Sequence, residues 1–75
     1  MRFTASAFRH GITQRQIETA LQVPMRMVDQ GGDLRLIIGA TESGNLLEIV
    51  MADPEAADER VIHAMPLRPK FYRYL

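Results

Sequence analysis

Seventy-five residues make one domain, residues 1–75, and a chain of this size buries only about 60% of the surface its unfolded form exposes. Hydrophobic residues at 47% and charged residues at 24% describe a globular chain, while the absence of cysteine excludes disulfides and thiolate zinc sites, so the support that small domains need is expected from a partner subunit. Net charge is zero but segregated: residues 29–59 hold eight of the nine acids and one base, Arg35, whereas the flanking segments hold eight bases and one acid, Glu18.

Residues 1–10 read as a short helix with Phe3 and Ala7 on one side, started by Thr4 and ended at Gly11, where a left-handed residue suits the C-terminus. Thr13 and Gln16 have the capping-box spacing, and Ile17, Ala20 and Leu21 then form one apolar stripe over residues 14–22. Pro24 stops that helix. Too short to hold alone, it needs a sheet to lie on.

From Met25 the period changes to two. Residues 25–29 lead into a tight hairpin at Gly31-Gly32, and residues 34–39 alternate Leu34, Leu36 and Ile38 against Arg35 and Ile37. Residues 41–45 form a second turn. The next strand, 46–52, sets Leu47, Ile49 and Met51 on one face and Leu46, Glu48 and Val50 on the other. An acidic loop over 53–58 precedes a strand at 60–65, with Val61, His63 and Met65 opposite Ile62 and Ala64. The expected fold is α+β: two N-terminal helices packed on one face of a four-stranded antiparallel meander. No apolar run approaches the roughly eighteen residues that span a membrane, and no continuous apolar segment marks a signal peptide, so a cytoplasmic location is expected.

The richest chemistry lies in residues 66–75, where Arg68, Lys70 and Arg73 interleave with Phe71, Tyr72 and Tyr74. Cations contact phosphate and aromatic faces stack on unpaired bases, the combination that reads single-stranded RNA. Alternatively, Phe71 and Tyr74 dock the tail on the domain. His63 is the candidate general base or acid, Arg68 and Lys70 supply charge for a phosphorane-like transition state, and a tyrosine or His10 donates the second proton. A structural histidine is the plainer reading of His63, and helix capping that of His10. The carboxylates at 53, 55, 58 and 59 lack calcium-loop spacing and read as a solvated turn. Neither a cofactor nor a metal is expected.

Arg9-His10-Gly11-Ile12-Thr13, followed by an amphipathic helix, resembles the K/R-H-G-I/V-S/T segment of BrnT-family toxins. Arg60-Val61-Ile62-His63-Ala64, running into a basic tail, is similar to the R-I-I-S-A strand and arginine-rich C-terminus of that family. The resemblance covers roughly residues 9–75. His63 stands at the family's serine position, Met65 replaces a basic residue, and two prolines interrupt a thinner set of arginines. The resemblance implies a RelE-like ribonuclease fold, RNA cleavage that inhibits translation, and a cognate DNA-binding antitoxin protein as partner. With His63, Arg68 and Lys70 as catalytic candidates, the RNA contacts are assigned to Arg9, His10, Arg60, Tyr72, Arg73 and Tyr74. A non-enzymatic binding module stabilised by a protein partner is the alternative. The ribonuclease reading requires the two basic segments to meet across the sheet.

Overall fold

The computed structural model describes residues 1–75. Its elements in chain order are strand β1 (Arg2–Phe3), a 3-10 turn (Ala5–Phe8), helix α1 (Gln14–Gln22), strands β2 (Arg26–Gly31), β3 (Leu34–Ala40), β4 (Leu46–Ala52) and β5 (Arg60–Pro66), and a second 3-10 helix (Pro69–Tyr74). One sheet holds all five strands in the order β1-β5-β4-β3-β2. The hairpins from β2 to β5 are antiparallel as expected, and β1 adds to β5 in parallel.

The expected arrangement of two helices on a four-stranded antiparallel meander is therefore corrected to one α-helix and a five-stranded mixed sheet. The reason lies in residues 1–10. Arg2 pairs with Arg60 and Phe3 with Val61, and the Thr4 amide then donates to the Val61 carbonyl at 3.0 Å. Thr4 and Ser6 hydroxyls also donate to the edge of β5, to Val61 O at 3.3 Å and Ile62 O at 2.6 Å. Short hydroxyl side chains compete well with helical hydrogen bonding in this way. What remains before Gly11 (φ +79°) is enough for a single 3-10 turn, with Ala7 buried beneath it.

Helix α1 follows its sequence signals. Thr13 accepts from the Gln16 amide at 3.1 Å while Gln16 Oε1 accepts from the Thr13 amide at 2.9 Å, so both halves of the capping box form. Ile17 and Ala20 are buried against the sheet. Gly39 of β3 lies directly under the helix, where a Cβ would collide with the Ala20 carbonyl. The close approach of backbone to backbone requires glycine there.

Both faces of the central strands are covered. On the α1 side, Ala7, Ile17, Ala20, Ile37, Leu47, Ile49, Met51, Val61 and Ala64 form the larger core. On the other side Leu36, Ile38 and Leu67 are buried, flanked by Val28, Leu46, Val50, Phe71 and Tyr74. Residues 69–74 are thus a lid on the second face, Pro69 opening the 3-10 helix and the Phe71 and Tyr74 rings stacking 6.3 Å apart.

Strand β5 carries an irregularity that alternation does not reveal. Val50 pairs with His63 but Met51 with Val61, leaving Ile62 as an extra residue. This bulge places Val61 in the α1-side core and His63 on the opposite face, so the expected sharing of one face by Val61 and His63 does not hold. A bulge inserts one residue and so reverses the facing of everything beyond it.

Strand direction also sorts charge. The β2–β3 turn and the β4–β5 loop lie at the same end of the sheet, bringing together Asp29, Asp33, Asp53, Glu55, Asp58 and Glu59. There they engage Arg35 (Asp29 at 2.9 Å, Glu55 at 3.0 Å) and Arg60 (Asp53 at 2.8 Å, Asp58 at 3.4 Å). The opposite end holds Arg26, residues 41–45, Pro66 and the lid.

Candidate active site

Glu48 occupies the middle of β4, in register with Ile38 on one side and Met65 on the other, and is fully buried. An ionised carboxylate in such a place has to be paired and hydrogen-bonded, or its desolvation would be prohibitive. Both oxygens are engaged. Oε1 accepts from the Arg68 amide at 3.0 Å and from Arg68 Nε at 3.0 Å. Oε2 accepts from Arg68 Nη2 at 2.6 Å and lies 2.9 Å from His63 Nε2. Burial pushes the Glu48 carboxyl upward, but the bonds from Arg68 and His63 outweigh it and hold the group below its usual value.

The clamp determines what His63 can do. A carboxylate can only accept, so the Nε2 facing Glu48 carries hydrogen and Nδ1 is the nitrogen left to exchange a proton. This is the arrangement by which a carboxylate selects an imidazole tautomer and fixes the ring's orientation. The ring is partly accessible, its side chain 24% exposed. His10 approaches it edge-on, with ring centroids 5.4 Å apart and planes at 73°. The 3-10 turn anchored by Ser6 to the bulge at Ile62 carries the chain there, and Gly11 then turns it toward α1. Sequence-distant imidazoles therefore meet, one of them bonded to the buried carboxylate.

Arg68 leaves β5, spends Nε and Nη2 on Glu48, and stacks its guanidinium 5.7 Å from the centre of Phe71. Lys70 reaches the same ring at 5.0 Å. Arg73 lies 4.9 Å from the Tyr74 ring and donates to its hydroxyl at 3.0 Å; Arg73 and Gln30 together hold that phenol below its usual value. Arg26 Nε donates to the Tyr74 carbonyl at 2.7 Å, tying the lid to β2. Tyr72, between these docked aromatics, is 54% exposed.

His63, Arg68 and His10 are brought together, and Lys70 joins them through Phe71. Arg9 sits beside His10, exposed and without a carboxylate partner, while Arg73 and Tyr74 extend along the lid toward β2. Arg60 is not part of this constellation: it lies at the opposite end of β5, bonded to Asp53 and Asp58. Arg15 pairs with Glu42, leaving Arg2, Arg9, Arg26, Lys70 and Arg73 as the cations free of carboxylates. The basic segments meet at the His10–His63 contact rather than over a broad face.

The residue that organises the site, Glu48, was not among the sequence candidates. Its signal is the placement of one acid within the apolar strand LLEIVMA, flanked at i±2 by Leu46 and Val50. No group of three histidine or carboxylate side chains converges to hold a metal ion. Comparison with family models, curated proteins and solved structures found no match for this chain.

Proposed function

We propose that this chain is the toxin of a type II toxin–antitoxin pair, a small metal-independent endoribonuclease acting on single-stranded RNA. The observation that carries the reading is the Glu48 clamp, which holds His63 and Arg68 on one carboxylate with His10 against the partly accessible imidazole. In the proposed reaction His63 Nδ1 removes the ribose 2′-hydroxyl proton and the 2′-oxygen bonds to the adjacent phosphorus. The bond to the 5′-oxygen breaks as protonated His10 gives that oxygen a proton, leaving a 2′,3′-cyclic phosphate and a 5′-hydroxyl. Arg68 fixes Glu48 and turns its remaining Nη1 to the phosphate, while Lys70 adds mobile charge. A cognate DNA-binding antitoxin is the proposed partner.

Inducible expression with mapping of RNA ends tests this directly. Growth arrest and new 5′-hydroxyl ends are expected from the native chain, and neither from a folded His63→Asn variant. Undiminished arrest by that variant would overturn the assignment. The exposed apolar residues Val23, Met25 and Met27 favour a second reading, a non-enzymatic module completed by a protein partner. Absence of both cleavage and growth arrest would select it.

A further inference from the structure

A groove of about 390 Å³ opens at the basic end of the sheet, between the start of α1 and the lid. Leu46, Leu47, Leu67, Tyr72 and Leu75 supply most of its apolar lining, and the side chains of Gln16 and Asn45 its amides. Ile12, two residues beyond His10, lines one side, and Pro66-Leu67, the link from the His63 strand to Arg68, lines another. Both chain segments that build the proton-transfer cluster therefore also build the groove.

We infer that this groove is a base-binding subsite, seating one unstacked nucleobase of a single-stranded RNA next to the His10–His63 cluster. The inference rests on the ribonuclease reading and supplies the substrate contact that reading lacks.

Three observations favour a nucleobase. No charged side chain lines the groove, so it suits a neutral ring and offers no counter-charge to a phosphate or a metal ion. Packing accounts for Phe71 and Tyr74, whose rings cover Leu36 and Ile38, but leaves Tyr72 more than half exposed with its face unused. Stacking on a base is what an exposed aromatic offers, and Tyr72 stands in the chain between Lys70 and Arg73, which have no carboxylate partners. The lining has free hydrogen-bonding capacity as well. Gln16 commits its oxygen to the helix cap but keeps its amide hydrogens, and Asn45 commits its nitrogen to Ser43 but keeps its oxygen. One donor and one acceptor within an apolar lining match the edge of a base.

The test is a two-dimensional NMR titration of the full chain with the four nucleoside 3′-monophosphates, with inorganic phosphate as control. Shifts at Ile12, Leu47 and Leu67 from at least one nucleotide, absent with phosphate, are expected. Tyr72→Ala should weaken that binding by roughly tenfold or more, and Tyr72→Phe should retain it. Shifts confined to His63 and Lys70, equal for nucleotide and phosphate, would overturn the inference. So would a groove that ignores all four nucleotides yet is covered when the co-encoded protein is added, which would assign it to a partner's side chain. Groove binding by a chain that cleaves no RNA would uphold the subsite and sink the ribonuclease reading. Cleavage with an unchanged KM in Tyr72→Ala would do the reverse.

Discussion

Glu48 shows how much one buried side chain can organise. Glu48→Ala leaves the Arg68 amide, the Arg68 fork and the His63 ring without their common acceptor, and the chain should be measurably less stable. Urea denaturation should record a lower midpoint, and thermal melts a Tm reduced by several degrees. The sign of the pH dependence follows from the direction of the Glu48 shift. Its folded-state value lies below the unfolded one, so its contribution is complete above about pH 4.3 and is lost as pH falls through the lower folded value. The stability gap between the native chain and Glu48→Gln should therefore narrow on acidification from about pH 7 to about pH 3. A gap that stays constant would mean that Glu48 is not ionised in the clamp. His63→Asn separates chemistry from folding, because Arg68 still neutralises Glu48. Cleavage should fall by about 10²-fold or more while the urea midpoint moves little.

At the scale of elements, α1 meets β3 in a close backbone contact. Gly39→Ala forces the helix backbone off the strand, since the obstacle is the Ala20 carbonyl rather than a flexible side chain. A destabilisation of about 1–3 kcal/mol is expected, visible in thermal melts. Much of the element pattern is legible in the sequence because its causes are local. The capping box at Thr13 and Gln16, the Gly31-Gly32 hairpin and the alternation of Leu47, Ile49 and Met51 each act within a few residues. The departures all involve partners far away. Residues 1–10 have a fair helical pattern, but the unfilled edge of β5 draws Arg2 and Phe3 into a strand and the Thr4 and Ser6 hydroxyls to its carbonyls. The bulge at Ile62 depends on β4 and on Ser6, so alternation alone misplaces Val61 relative to His63. His63, His10 and Arg68 are visible as chemistry-bearing types. Glu48 is hidden because a single acid in a strand ordinarily faces water, and here residues 69–74 cover that face.

For the molecule as a whole, charge is ordered along the sheet rather than across it. Six of the nine carboxylates gather at the end holding the β2–β3 turn and the β4–β5 loop, where Arg35 and Arg60 are consumed. At the other end Arg9, Lys70 and Arg73 remain free of carboxylates, so a chain of zero net charge still presents a locally positive field there. With about three phosphates neutralised, the logarithm of RNA affinity should fall against the logarithm of salt with a slope near about −2. Fluorescence anisotropy across a salt series measures it. Replacing Arg60 should leave that slope unchanged, whereas replacing Lys70 should make it shallower by about 0.7. A slope sensitive to Arg60 would mean that the acidic end also touches RNA.

The contact between His10 and His63 has a consequence in time. The two rings are separated by most of the chain, and the turn that carries His10 is anchored to β5, which must itself pair with β4. At about 5–20 residues per second of synthesis, His10 leaves the ribosome seconds before its counterpart exists. No single hairpin of the meander contains the full set of groups, so the cluster is complete only when the 3-10 turn has docked on β5 and β5 on β4. Whatever chemistry the cluster performs therefore depends on closure of the sheet rather than on any local segment.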